Sequence, residues 1–305
     1  MLSRTYVHLI NPINPPDGSD LNVAQPITLE TMRVAKEFAA KSGMCVKHQA
    51  VVYAEDKNQV PDDFDDVHVL SQSVQDVGTF GSDRKLPLIK DILSCGIENS
   101  QAEYVIYTNL DISLLPHFYC AVDRLLSEGH EALIINRRTI SSAWSEIQDT
   151  PLMFADIGVA HDGFDCFVFP KSWIGQLDLG NTCIGAPFIG LVVALSLTGL
   201  TSKWKLVDQE HLTFHIGDDR AWDSGNLNEY AQHNKQETAG VISRYEEKHG
   251  QIKWDTAPSW SYGAIAQIKV DELGFPSSIL PRGPKFRKRL VTKLRNIRSA
   301  LRSAD

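Results

Sequence analysis

Short apolar runs alternate with amphipathic stretches along the first 170 residues. "TYVHLI" (5–10), "CVKHQAVVYAED" (45–56), "AEYVIYTN" (102–109), "EALIINRR" (131–138) and "DCFVFP" (165–170) are rich in β-branched and aromatic residues and predict strands. Between them, "TLETMRVAKEFAAKSG" (28–43), "LPLIKDILSCGIEN" (86–99) and "LPHFYCAVDRLLSEG" (115–129) carry apolar residues at helical spacing. Thr28 is the candidate cap of the first helix and Gly43 its stop, and Pro87 suits the first turn of the second. Strand–helix alternation of this kind predicts an α/β sandwich about a largely parallel sheet.

The pattern changes after residue 223. "NLNEYAQHNKQETAGVISRYEEKHG" (226–250) predicts a polar helix, and segments rich in Trp, Pro and Gly follow. The expected organisation is a compact unit over 1–223, a helical and irregular extension over 224–281 packing on it, and a tail over 282–305. In the tail, Leu290, Leu294, Ile297 and Leu301 form one helical seam flanked by basic residues. Such a helix suits an anionic membrane surface, or docking on the acidic body or on a dimer mate. Residues 179–202 lack charge for 24 positions. Asn181, Pro187 and four glycines favour a buried core helix starting near Pro187 over a membrane span.

Composition adds limits. The 305 residues are 43% hydrophobic and 22% charged, ordinary for a globular protein able to bury a sizeable core. The net charge of −8 argues against a general nucleic-acid binder. It is divided unevenly: residues 282–305 hold nine Lys/Arg and one Asp, net +8, leaving −16 on residues 1–281. Five scattered cysteines without C-x-x-C give no disulfide framework or zinc-knuckle spacing and read as a reduced, cytoplasmic chain. No long apolar run follows the N-terminal methionine, so no secretory signal is expected.

Candidate chemistry gathers where strands end. Asn109 and Asp111 close the apolar run "YVIYTNLD" two residues apart and share a face if the chain stays extended. They read as turn residues or as oxygen ligands for a hard divalent cation. "VAHDGFDCFVFP" (159–170) crowds His161, Asp162 and Asp165 into a turn before a buried strand, either an Asx turn or the seat of a carboxylate base. "HLTFHIGDDRAWD" (211–223) is the densest polar cluster, with His211, Thr213 and His215 alternating along a strand. Of Arg137 and Arg138, which face opposite ways, Arg137 is favoured to enter a site. P-loop, dinucleotide, serine-hydrolase and zincin motifs are absent from the sequence.

The order of strand–loop, acid-terminated strand "VVYAED" and strand–"NLDI" over the first 220 or so residues resembles a GT-A-type nucleotide-sugar glycosyltransferase. The resemblance implies a Rossmann-type α/β/α sandwich, transfer of a hexosyl-type sugar from a nucleoside-diphosphate donor to a glycan or lipid-linked acceptor, and Mn²⁺ or Mg²⁺. Asp111 matches the last acid of the family's D-x-D, whereas Asn109 replaces the first. His215 matches a late histidine that completes the metal shell. Glu55 and Asp56 stand where such proteins read the base, and Arg84, Lys85 and Asp91 follow in the loop and helix beyond. Asn109, Arg137, Arg220 and Trp222 are the remaining donor contacts, and Asp165, then Asp162, the candidate acceptor base. A catalytically silent sugar- or partner-binding protein and a nucleotidyltransferase are the alternatives; "NPINPPDGSD", with a single Gly, does not favour the latter. A cytoplasmic chain, resting on the inner membrane face through its tail, is the expected setting.

Overall fold

The computed structural model describes residues 4–161, 163–217, 228–252 and 261–279. The tail 282–305, with its seam of apolar residues, lies outside the described residues, as do Asp162, Arg220 and Trp222. The chain divides into a compact unit, Met1–Ile252, and a second unit, Lys253–Asp305.

The first unit runs β1 (Thr5–Ile10), α1 (Leu21–Lys41), β2 (Cys45–Val52), β3 (Asp66–Val69), α2 (Ile89–Cys95), β4 (Tyr104–Thr108), β5 (Ser113–Leu114) and α3 (Phe118–Ser127). It continues through β6 (Ala132–Ile135), β7 (Arg138–Ile140), α4 (Thr150–Ala155), β8 (Val159–Ala160), β9 (Cys166–Pro170), α5 (Ile189–Leu200), β10 (Trp204–Val207), β11 (Thr213–Ile216) and α6 (Asn228–His249). The second unit contributes α7 (Ser261–Asp271) and a short 3-10 turn at Ser277–Ile279.

Seven strands form the main sheet in the order β10-β6-β9-β4-β1-β2-β3. All run parallel except β9, which lies antiparallel between β4 and β6. The sheet is buried on both faces, so β6 reads as an unbroken apolar run rather than an alternating one, and β1 departs from that only at Thr5 and the buried His8. Tyr6 and Ile10 of β1 pack with Met32 and Ala35 of α1 and Phe118 and Val122 of α3. On the opposite face, a Cβ at Gly96 would meet Leu9 and Val51 side chains at 2.8 Å, so the turn ending α2 sits directly on β1 and β2. The result is the α/β/α sandwich with a mostly parallel sheet that the GT-A resemblance implies.

Three features differ from the sequence expectation. First, α1 begins at Leu21, not after Thr28. Asp20 caps it, its carboxylate accepting from Leu21 N, and the helix tolerates Pro26 while the Gln25 amide bonds both the N–H and C=O of Ile13. Thr28 is buried instead, its hydroxyl 3.2 Å from that of Ser113. Second, short strands that leave little pattern (β3, β5, β7, β8 and β10) complete the sheets. Third, α6 belongs to the same compact unit as the sheet, packing on α5. The uncharged stretch does form a buried helix, α5, of 12 residues. That is about 18 Å of helix, short of a bilayer, and no helix among the described residues is long and apolar enough to cross a membrane.

Candidate functional site

An antiparallel strand begins where its parallel neighbours end. Because β9 pairs Cys166 with Thr108 of β4 and with Ile135 of β6, the residue before it, Asp165, falls beside Asn109 and beside the chain leaving β6 at Asn136–Arg137. A glycine fixes that position: at Gly190, the start of α5, a Cβ would stand 2.3 Å from the Phe164 carbonyl oxygen. The approach of helix to turn therefore requires glycine there.

A second sheet, ordered β5-β11-β7-β8, is built from the continuations of the same strands. Leaving β4 the chain forms β5, and leaving β6 it forms β7; β11 runs between them. The antiparallel register of β11 on β5, Thr213 against Leu114 and Phe214 against Ser113, carries His215 alongside the Asp111–Ile112 turn. Thus five of the residues singled out from the sequence, Asn109, Asp111, Arg137, Asp165 and His215, meet at the carboxyl edge of the main sheet.

Their contacts are specific. His215 is 3% exposed, and its Nδ1–H donates to the Gly217 carbonyl at 2.8 Å. That bond leaves Nε2 facing Asp111 Oδ2 at 3.2 Å. Burial works against the imidazolium, but the hydrogen bond and charge of Asp111 outweigh it and raise His215 above its ordinary value, while Arg137 opposes. The Asp111 carboxyl moves the other way: burial would raise it, yet His215 and then Arg137 hold it below the usual carboxylate range. Arg137 Nη1 lies 2.8 Å from Asp165 Oδ2, both side chains being nearly enclosed. Asp165 also accepts from Asn109, through Nδ2 at 3.4 Å to its carboxylate and through the backbone N–H at 3.2 Å to its carbonyl. Asn109 Oδ1 accepts in turn from Tyr107 Oη at 3.3 Å. Arg138 turns outward, its guanidinium donating to the Ile157 and Gly158 carbonyls.

The donor set fits a divalent cation. A carboxylate oxygen and an imidazole nitrogen whose tautomer is fixed by its other ring atom form a natural ligand pair. Their 3.2 Å separation is close to the cis edge of an octahedron with bonds of about 2.1 Å, roughly 3 Å. Asn109, engaged on both sides of its amide, buttresses Asp165 rather than offering a ligand.

Farther along the same edge, past the ends of β2 and β3, lies a cavity of about 520 Å³. Tyr53, Glu55, Gln72, Ser73, Asp83 and Lys85 line it. Tyr53 directly follows β2, is 6% exposed and donates its hydroxyl to the Gln72 carbonyl at 2.9 Å. Lys85 Nζ reaches Glu55 at 2.8 Å and lies 5.4 Å over the Tyr53 ring. The loop carrying Asp83 and Lys85 is held by α6: Glu229 accepts from Gly81 and Ser82 backbone N–H groups, and Tyr230 Oη accepts from Arg84 N.

The other expected donor contacts stand apart in role. Asp56 is buried, its carboxylate accepting from Asn14 N at 2.8 Å, and so braces the loop after β1. Arg84 is exposed. Asp91 on α2 is half-buried; burial raises its carboxyl, and its Oδ2 makes no hydrogen bond among the described residues. Tyr53, Tyr107 and Gly217 were not singled out from the sequence. An aromatic residue directly after a core strand was the available signal for Tyr53; the Gly217 carbonyl left none.

No protein-family model matches the sequence, and neither does any curated protein sequence. Solved structures do resemble it in fold. Residues 1–349 of Staphylococcus aureus TarS, in complex with UDP-GlcNAc, superpose at a TM-score of 0.44 with 9% identity, over 87% of this chain and 81% of that one. The catalytic domain of Drosophila β1,4-galactosyltransferase 7, in complex with xylobiose, gives 0.39 with 10% identity, over 75% and 79%. A mutant of that galactosyltransferase, in complex with manganese, UDP-Gal and xylobiose, gives 0.38 with 10% identity, over 73% and 79%. At these identities the likeness is one of architecture, and the chemistry rests on the side chains.

Proposed function

We propose that this protein is a glycosyltransferase that binds a nucleoside-diphosphate sugar along the carboxyl edge of its main sheet and passes the sugar to a glycan or lipid-linked acceptor. The observation that carries the reading is the pairing of Asp111 with His215 at a strand end, 3.2 Å apart with the imidazole tautomer fixed by Gly217. Ligands of open α/β sheets sit at such edges. In this reading Asp111 and His215 hold Mn²⁺ or Mg²⁺. When bound, the cation supplies positive charge to the departing diphosphate.

The chain's own residues do the rest. Tyr53 floors the cavity beyond β2 and offers a ring face to a nucleobase, while Glu55 and Asp83 present acceptors for base N–H or ribose hydroxyl groups. Lys85, exchanging Glu55 for a phosphate, adds a cation at the rim. Arg137, held by Asp165, keeps a fixed guanidinium close enough to help hold Asp111 ionised and to oppose, without cancelling, the rise that Asp111 gives His215. Asp165 is committed to that pair, so service as the acceptor base requires the pair to open; otherwise the role falls to Asp162.

Calorimetric titration with nucleoside diphosphates, with and without Mn²⁺, tests the reading. Binding strengthened by the cation in the native protein and not in Asp111→Ala is the expected result. Cation-independent binding, or none with any nucleoside diphosphate, overturns it. Cation-dependent binding without sugar transfer or donor hydrolysis would identify the silent binder instead.

A further inference from the structure

Edge strand β3 reads Asp66-Val67-His68-Val69, and only His68 turns inward; Asp66, Val67 and Val69 are exposed. His68 pairs in register with Val51 of β2, whose neighbouring apolar side chain is fully enclosed. The position calls for an apolar residue, yet it holds an imidazole that is only 9% exposed. Its Nε2 is sealed from solvent and makes no hydrogen bond among the described residues, with Asp66 Oδ2 standing 3.6 Å away. A sealed imidazole nitrogen without a hydrogen bond needs a ligand or costs stability.

What stands opposite it is the end of α2. Cys95 and Glu98 are one turn apart, joined by a bond from Glu98 N to the Cys95 carbonyl at 3.1 Å, and Cys95 Sγ reaches the Val69 carbonyl at 4.0 Å. Gly96 between them is pressed onto Leu9 and Val51 with no room for a Cβ, which fixes this turn against the sheet face that His68 shares. One donor atom from each of His68, Cys95 and Glu98 lies within 4.8 Å of the other two.

We infer that His68, Cys95 and Glu98 bind a divalent cation of the zinc class, clipping edge strand β3 to the C-terminus of α2. The donor set of imidazole, thiolate and carboxylate suits a borderline-soft ion in tetrahedral coordination, with Asp66 or water in the fourth place. With water in the fourth place charge closes as well: thiolate and carboxylate together neutralise a dication. Burial and the acids Glu98 and Asp91 push the Cys95 thiol up, a field that a bound cation reverses. Among the described residues, His68 and Asp91 both carry enclosed donor atoms without hydrogen bonds, and Asp91 lies one helical turn before Cys95. The site shares no residue with the Asp111–His215 pair and does not depend on the proposed transferase activity. Its place in the fold is structural, since the cavity wall Leu70–Ser73 leaves directly from β3.

Co²⁺ titration of the chelator-stripped full chain tests the site, because a thiolate ligand gives cobalt an intense near-ultraviolet charge-transfer band that oxygen and nitrogen ligands do not. One equivalent binding with that band is expected in the native protein and in Asp111→Ala. Cys95→Ser should abolish the band, and Glu98→Gln should weaken binding about tenfold or more. Zn²⁺ should displace the cobalt and raise Tm in the native protein but not in Cys95→Ser. Both substituted positions reach the surface, so folding is not at stake as it would be at His68. Absence of the band from the native protein, or its persistence in Cys95→Ser, overturns the inference.

Discussion

Two buried histidine clusters flank the end of β4, and they have opposite electrostatics. Thr108 belongs to one: His8 Nε2 lies 2.9 Å from its hydroxyl, while His8 Nδ1 and His48 Nε2 share the Tyr119 hydroxyl at 2.8 and 2.9 Å. Tyr107 and Asn109 belong to the other, around Asp111, Arg137, Asp165 and His215. His8 is pushed well down by burial and by His48, and His48 by burial and Lys36 to about 3. His215, almost equally enclosed, is raised. Burial alone neutralises an imidazole; only a carboxylate in contact reverses that outcome. The first cluster is a neutral hydrogen-bonded brace between β1, β2 and α3. The second is a set of charges kept in place inside the fold, and only it offers a cation a negative oxygen.

The largest test of this contrast removes a charge that cannot adjust. Arg137 has no neutral form in reach, so Asp165→Ala leaves a buried guanidinium unpaired and should cost roughly 3–5 kcal/mol in urea unfolding. Replacing both residues with apolar ones of similar size should restore much of that loss. If Asp165→Ala alone unfolds with native stability, the pair is not the buried element described.

Acid should act on the neutral brace next. The folded-state values of His8 and His48 lie below the unfolded value near 6.5, so below that pH the unfolded chain binds more protons. Stability is therefore whole above about pH 6.5 and falls as pH drops, by about 1.4 kcal/mol per unit per histidine. Between pH 6.5 and 5 each histidine should remove about 2 kcal/mol. His215 has the opposite sign: its contribution is present below pH 6.5 and is lost as pH rises through its elevated value. Urea unfolding across pH 5–8 should thus show losses on both sides of about 6.5, the acid side steeper and flattened by one proton in His48→Gln. A flat profile from 6.5 to 5 contradicts the account.

How much of this was legible in the sequence follows from the range of each signal. The strands β1, β2, β4, β6 and β9 announce themselves because each carries a run of β-branched, aromatic or other apolar residues, broken in β1 by His8 and in β2 by Lys47, His48 and Gln49, and α3 shows its stripe. The start of α1 was not legible: Pro26 looks like a boundary, and only the anchoring of Gln25 to Ile13 shows why the helix runs through it. Asp111 and His215 were legible as polar interruptions of apolar runs, separately. That they meet depends on β11 running between β5 and β7, pairings of two or three residues that leave no pattern. Asp165 was legible as a turn acid, but its pairing with Arg137 comes from the reversed direction of β9, which composition cannot show.

Asp111→Ala separates the clusters by what it spares. Unlike Arg137, His215 can shed its proton when its partner goes, so stability should change little. Cation-dependent affinity for a nucleoside diphosphate should fall about 10- to 100-fold, or about 1.4–2.7 kcal/mol. A large loss of stability with unchanged affinity would make Asp111 one more structural acid like Asp56.

The smallest effect belongs to Lys85, which carries charge without burial. Its ammonium and the Glu55 carboxylate are both largely solvated, and water screens the pair. Lys85→Ala should therefore leave Tm within error. If the cavity beyond β2 receives a nucleotide, the same change removes a rim cation that lies over the Tyr53 ring, and affinity should fall a few-fold, more at low salt than at high. Glu55→Gln, which frees Lys85 from its partner, should raise affinity or leave it unchanged if Lys85 meets phosphate, and lower it if Glu55 itself accepts from the base. The two single variants and their double, titrated at two salt concentrations, decide which member of the exposed pair touches the ligand.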